Sequence, residues 1–488
     1  MSYVGQVIQL LASLFVLALG VGVMAVVVMY FQDKLQTQST VRRNFPVVGR
    51  FRFLFEHLGE FFRQYFFAMD REELPFNRAE RAWAYRAAKN VDSTIAFGST
   101  RDIRRPGTTL FVNCPYPKLA SELAPPEPVT VGPYCKTPYS TPHFFHISAM
   151  SYGAISKPAV RALSTGAKKS GCWLNTGEGG LSPYHLEGGA DLVFQLGTAK
   201  YGARDENGDL DEDKLRRIAA HEQVKMIELK LSQGAKPGKG GILPAAKVNK
   251  EVAEIRGIPV NTDSISPNRH PHVKSAGDLL DFITQVRNVS GKPTGFKAVI
   301  GAGDWIDQVC EEINRRGIES APDFITIDSG DGGTGAAPMA LMDNVGLQIK
   351  ESLPTVIKRL EKHGLRERVK VVVSGKLINP SEVAWALCTG ADFINSARGF
   401  MFALGCIQAL QCNKNTCPTG ITTHDKKLQR GLVPKDKAER VYHYQANMEK
   451  EVSIIAHSCG VNDPRKLKPM HCRVVQDNGM TIPLTELL

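Results

Sequence analysis

The sequence carries no zinc-finger spacing, no helix-turn-helix pattern and no aromatic RNA-binding signature, so its net charge of +11 is not a nucleic-acid footprint. Its basic residues are dispersed along the chain. A regular cysteine framework is missing too. Ten cysteines fall at irregular spacings, which excludes a secreted disulfide scaffold and fits a reducing compartment. No G-x-G-x-x-G follows the first strand-like segment, which argues against an open dinucleotide-binding sheet. Charge is absent from residues 10–31, LLASLFVLALGVGVMAVVVMYF, a run long enough to span a bilayer. No basic residue precedes that run and no clear cleavage site follows it, so a removed secretion signal is the poorer reading. Lys34, Arg42, Arg43, Arg50 and Arg52 come after it, and positive flanks stay on the cytoplasmic side. The expectation is a single-pass protein of the inner (cytoplasmic) membrane, anchored by residues 1–33, with its catalytic body in the cytoplasm.

What is present is an ordinary globular composition, 43% hydrophobic and 22% charged over 488 residues, enough for a full core. Residues 34–140 read as a juxtamembrane helical region and a polar, Pro-rich linker. Within them, FRFLFEHLGEFFRQYFFAM (51–69) sets Phe51, Leu54, Phe55, Leu58, Phe62, Tyr65 and Phe66 at three- and four-residue spacing. Glu56, Glu60 and Arg63 fall off that face. Such a helix either lies in a membrane interface or packs on the main domain, and packing is preferred.

From residue 141 to 424, apolar strand-like runs alternate with helical patterns. The runs cover 143–150, 172–176, 191–197, 225–231, 296–300, 324–328, 369–374 and 393–397. The helical patterns cover 157–169, 211–224, 276–289, 305–316, 347–363 and 381–389. Eight alternations predict an α/β fold, a closed (β/α)8 TIM barrel. Residues 425–488 read as a helical C-terminal extension that packs or offers an interaction surface.

Barrel chemistry sits past the C-terminal ends of the strands. Those positions are rich in small and charged residues: SAMSYG from Ser148, NTGEGG from Asn175, Lys230, Lys297, DSGDGGTG from Asp328, SGK from Ser374 and SARG from Ser396. Singly, each glycine group is a tight turn; together at consecutive strand ends they suit phosphate, with Arg398 as its partner. Just beyond, Cys406, Cys412 and Cys417 stand in the pattern C-x5-C-x4-C, the last followed by Pro418. Three thiolates in one short segment suit an iron–sulfur cluster, of three irons, or of four with a ligand from elsewhere. Buried structural cysteines are the competing reading.

The blocks SAMSYGAIS, NTGEGG, KLSQGAKPGKGGILP, DGGTGAAP and ALGCIQALQCNKNTCPTG resemble the FMN-binding synthase domain of glutamate synthase, in family order over about residues 142–423. The whole chain is similar to the stand-alone, membrane-anchored members of that family. The resemblance implies FMN in a (β/α)8 barrel and a [3Fe-4S] cluster on Cys406, Cys412 and Cys417. It places Ala149, Met150 and Ser151 against the flavin ring, with Gln195 and Lys297 at the ring's polar edge. Gly332, Gly333, Ser374, Gly375, Ala397 and Arg398 would take its phosphate side. It further implies that Lys230 and Gln233 face substrate carboxylates, with Glu178 a proton donor, and that the reaction reduces 2-iminoglutarate, formed from 2-oxoglutarate and ammonia. For Lys230 and Glu178 the competing reading is a structural ion pair; residues 234–241 read as a flexible substrate lid, with a solvated basic loop as the competing reading. His270 and His272, separated by Pro271, make a poor metal pair.

No amidotransferase cysteine and no FAD or NADPH module is visible, so ammonia and electrons are expected from outside, the latter from a ferredoxin, a partner subunit or the membrane. Two alternatives stay open: a membrane-coupled dehydrogenase oxidising an amino or hydroxy acid, and a catalytically silent anchored subunit.

Overall fold

A computed structural model describes residues 3–123 and 125–488. The chain forms two compact units, Met1–Ala79 and Glu80–Leu488. In the first, helix α1 (Tyr3–Leu35) is long and apolar enough to cross a membrane, and contains an 18-residue stretch of mean hydropathy 2.7 with no buried residue. It is a candidate anchor. Helix α2 (Thr40–Asn44) starts where the Ser39 side chain accepts from the Arg42 amide. Helix α3 (Val48–Phe62) follows and runs on into a π turn, Arg63–Phe67.

The second unit is built on eight parallel strands: β1 (Phe145–Ile147), β2 (Leu174–Asn175), β3 (Leu192–Leu196), β4 (Val224–Lys230), β5 (Thr294–Val299), β6 (Phe324–Asp328), β7 (Lys370–Ser374) and β8 (Phe393–Ser396). Each pairs with the next, and β8 closes on β1. Every strand overlaps the segment read from sequence, with ends no more than three residues apart, and the barrel is the expected (β/α)8 fold. Four of the intervening helices begin at side-chain caps: Ser156 before Lys157–Ser170, Asp211 before Glu212–Ala219, Ser275 before Ala276–Ser290 and Asn379 before Pro380–Cys388. Each cap oxygen satisfies an amide that the first turn leaves unpaired.

One mouth of the barrel is plugged. A hairpin of Val129–Val131 and Tyr139–Thr141 pushes Val131 and Tyr139 against Trp173, Val193, Met226, Phe324, Val372 and Phe393. These residues sit at the N-terminal ends or first turns of their strands, so the other mouth alone is left for chemistry. The plug falls in the segment read as linker.

The C-terminal segment is a long helix, Pro434–Ser458, with two short strands after it. The helix lies on Lys157–Ser170 so closely that a Cβ at Gly166 would come 2.5 Å from the Val441 side chain. The strands Cys472–Val475 and Thr481–Pro483 join Thr109–Phe111 in a three-stranded antiparallel sheet. Strands of three and four residues carry too little alternation to be read ahead of the structure.

Candidate active site

The strand C-terminal ends open on one cavity. Its lining includes Ala149, Met150 and Ser151 after β1, Glu178 after β2, Gln195 in β3, Lys230 and Gln233 at and after β4, and Lys297 in β5. Gly333, Ser374, Gly375, Ala397, Arg398 and Cys412 complete the sequence-predicted set that the cavity brings together. Gly332, Cys406 and Cys417 lie outside the lining. Gly332 turns the loop beneath it, its amide donating to the Ser329 carbonyl at 2.9 Å.

A buried polar layer makes the floor. Glu228, in the middle of β4, accepts from Asn175 Nδ2 at 2.8 Å, Gln195 Nε2 at 2.7 Å and Thr326 Oγ1 at 2.5 Å. This uses the amide nitrogen of Gln195 and leaves its carbonyl oxygen for a donor in the cavity. Lys297 Nζ pairs with Asp328 Oδ2 at 3.2 Å. Burial opposes the charge on Lys297, but Asp328 and Glu228 outweigh it and hold the ammonium above the ordinary lysine range. Lys297 is thus a fixed buried cation and not a strand-end lysine reaching solvent. The β1 loop is fixed in turn: His185 Nε2 binds the Met150 carbonyl at 2.9 Å, and burial pushes that imidazole down to about 4, so it is neutral.

On the substrate side, Lys230 Nζ donates to Glu178 Oε1 at 2.6 Å and to the Gln233 side-chain carbonyl, while Gln233 Nε2 reaches Thr334 Oγ1 at 3.0 Å. Burial resists ionisation of Glu178, yet Lys230, Lys236 and Arg256 prevail and hold it below its usual range. The carboxylate is therefore in the form that accepts a proton. Two cations complete the group, Lys236 from the loop read as either a substrate lid or a solvated basic loop, and Arg256. Lys236, 3% exposed, lines the cavity, and burial together with Lys230 pushes its ammonium down to about 8. Arg256 is 5% exposed; its Nη1 donates to Ser264 Oγ at 3.0 Å while its buried Nε has no partner. The basic loop carrying Lys236 is solvated at Gly238 and Lys239 but buried at Gly234, Ala235 and Lys236. Its Gly234 amide donates to Asp328 Oδ2 at 2.8 Å, and a Cβ at Gly241 would fall 2.2 Å from Glu178 Oε1. Lys236 stood in the quoted KLSQGAKPGKGGILP block, where its depth was the missing information. Arg256 closes the helix Lys250–Arg256, away from every strand end, and gave no signal.

Arg398 lies between two loops, Nη2 donating to the Thr334 carbonyl at 2.6 Å and Nη1 standing 3.9 Å from Cys412 Sγ. Gly375, at φ +127°, approaches Ser329 so closely that a Cβ would clash at 2.2 Å, while Gly335 faces open space. Lys247, buried, ties the Ala154 carbonyl at 2.7 Å to the Cys412 carbonyl at 3.2 Å, joining the β1 loop to the cysteine loop. Burial raises the Cys406 thiol, whereas at Cys417 hydrogen bonds from Thr419 and Thr422 overcome burial and lower it. Among the described residues no three His, Cys, Asp or Glu side chains are gathered to hold a metal ion. His270 is buried, with Nε2 on the Lys230 carbonyl at 3.2 Å.

A barrel plugged at one end, with charged side chains converging at its open end, defines a (β/α)8 enzyme. Residues 126–462 match the model for the conserved region in glutamate synthase. The chain is 37% identical to the glutamate synthase large subunit-like protein YerD of Bacillus subtilis, over 94% of both chains. It is 34% identical to the archaeal-type glutamate synthase [NADPH] of Thermotoga maritima, over 66% of this chain and 60% of that one. This chain thus spans about three fifths of the archaeal-type synthase. Among solved structures it is similar to a mutant flavocytochrome b2 with benzoylformate, 13% identical with a TM-score of 0.47, over 83% of this chain and 80% of that one. The chain belongs to the glutamate synthase family and is an oxidoreductase of that family.

Proposed function

We propose that this protein reduces the imine of a 2-oxo dicarboxylic acid, 2-iminoglutarate or a close analogue, to the amino acid, using FMN and a [3Fe-4S] cluster. The observation that carries the reading is the convergence of Lys230, Lys236 and Arg256 with one carboxylate, Glu178, in a cavity whose other wall holds the flavin-type strand ends. Three buried cations against one anion leave an uncompensated positive charge, which a dicarboxylate neutralises. Arg256, which lines the cavity, suits one carboxylate, and Lys230 and Lys236 suit the other. Glu178, kept ionised, accepts from the imine N–H and favours its protonated form, the form that takes a hydride at carbon. Lys236, poised at about 8, can return a proton to the group that forms.

The residues fit both groups. Gly335, with open space beside it, leaves room for a phosphate-bearing chain near Arg398, and Lys297 with the Gln195 carbonyl would take the ring's polar edge. Each cysteine of a multi-iron cluster ligates a different iron, so three thiols in one short segment suit it by their chemistry, and hydrogen bonds from Thr419 and Thr422 favour the thiolate at Cys417. Bound, the flavin would supply hydride and the cluster single electrons from an external carrier. We further assign α1 as a single span, with Met1 outside the cytoplasm and the barrel inside, on the basis of its basic flank.

The test uses anaerobically purified protein with FMN and iron quantified, then supplied with a chemical reductant, ammonia and 2-oxoglutarate. Glutamate production that Arg256→Met removes, with FMN and iron retained, supports the reading. Flavin and iron bound but no amino acid from any 2-oxo dicarboxylate overturns it.

A further inference from the structure

The aromatic helix α3 has an unpartnered face, and the structure fixes where that face begins. The uncharged run of α1 ends at Phe31, so Gln32 and Asp33 are the first polar side chains past the apolar stretch. Asp33 is 1% exposed because it is used as a clamp: Oδ2 accepts the Val47 amide at 3.0 Å and Arg50 Nε at 2.8 Å. Arg50 Nη2 also reaches Gln32 Oε1 at 3.2 Å. The start of α3 is therefore locked to the end of α1's apolar run. Beyond it, Phe51, Phe55, Phe62 and Phe66 are 44–69% exposed on one side of the helix. The opposite side carries Arg52, Glu56, Glu60 and Arg63, with Arg52 Nε 3.1 Å from Glu56 Oε1.

We infer that α3 and the π turn after it lie in the interface of the same bilayer, with the aromatic face among the headgroups and upper acyl chains. This rests on the reading of α1 as a membrane span. Continuity supplies the argument for a lipid occupant: a helix held at the boundary of a span starts at headgroup depth. Its four charged side chains keep it from entering the hydrocarbon, and its aromatic side chains gain by leaving water, as amphipathic interfacial helices do. Sequence spacing alone left a choice between this arrangement and packing on the main domain. The Asp33 clamp, which holds the start of α3 to the end of the apolar run, favours the interface.

The experiment places the full chain in phospholipid vesicles containing a lipid with a photoreactive group near the top of its acyl chain. After irradiation, labelled peptides are mapped by mass spectrometry. Label on residues 51–69 as well as on α1, reduced severalfold on the 51–69 peptides by Phe55→Glu with Phe62→Glu, is the expected result. Label on α1 alone overturns the inference while leaving the span intact. Label on neither, in protein that stays folded, overturns the span as well. Crosslinks between 51–69 peptides of two chains, without lipid label, would assign the face to a second copy and also overturn it.

Discussion

Lys236 turns burial into a pH response. Its ammonium is pushed down to about 8, so as pH rises through that value the free enzyme loses one of the three cations proposed to hold a dicarboxylate. Glu178 is held below its ordinary value of 4.5, so the acid side of the profile lies lower than an unperturbed glutamate would give. The expected kcat/KM for the 2-oxo acid is flat through neutrality and falls above about pH 8; Lys236→Arg keeps it flat there, and Lys236→Met lowers it without that limb. A profile with the same alkaline limb in Lys236→Arg would assign the titration to another group. Gly241 supplies a sharper probe of geometry. A Cβ there meets the far end of the Glu178 side chain at 2.2 Å, a flexible group that can swing aside at small cost in stability. Swinging aside breaks its 2.6 Å contact with Lys230. Since a displacement of about 1 Å in a reacting constellation costs about 10²-fold, Gly241→Ala should lose about that factor in kcat/KM with an unchanged melting temperature. A large fall in melting temperature would show that the loop, not the carboxylate, had yielded.

Among the elements, the barrel strands are legible and their surroundings are not. Runs such as FITID and KVVVS are buried along most of their length and read as apolar strands whatever lies outside them. The plug of Val129–Val131 and Tyr139–Thr141 was hidden because each strand has three residues inside a Pro-rich stretch. Glu228 was hidden because an acid in VKMIELK looks like ordinary alternation; its meaning is the layer of three donors around it. The catalytic end was readable where function sits at strand ends, and failed for Arg256, which arrives from a helix. The opposite end of the barrel makes its own prediction. Asp323, fully buried before β6, accepts from Arg287 Nε at 2.9 Å, Arg368 Nη2 at 2.9 Å and the Thr294 amide at 2.8 Å. Removing the acid strands two buried guanidinium groups, a loss worth about 3–5 kcal/mol. Asp323→Ala should therefore lower the denaturant midpoint markedly, while protein kept folded at low temperature retains its KM. A changed KM with unaltered stability would contradict the separation of a structural end from a catalytic one.

At the scale of the whole molecule, charge and attachment act together. The chain carries 60 Lys and Arg against 49 Asp and Glu, a net +11 that no nucleic-acid motif uses. A net positive body attracts anions over distances set by the ionic atmosphere, about 30 Å at 0.01 M salt and about 8 Å at 0.15 M. Two classes of anion matter to this reading: the dicarboxylate, drawn to a buried cluster of cations, and an acidic one-electron carrier, which must find the surface. The first bond is made inside a cavity where salt screens poorly; the second is a diffusional encounter where it screens well. Raising ionic strength should therefore slow reduction of the protein by an acidic carrier steeply while changing the KM for 2-oxoglutarate little. A cationic dye of similar potential should show the opposite slope, because the same field repels it. Stopped-flow reduction rates against salt for the two donors decide the matter. Parallel slopes for the acidic carrier and the cationic dye would mean that the excess charge is spread where no donor docks, and that electrons enter through a surface of balanced charge.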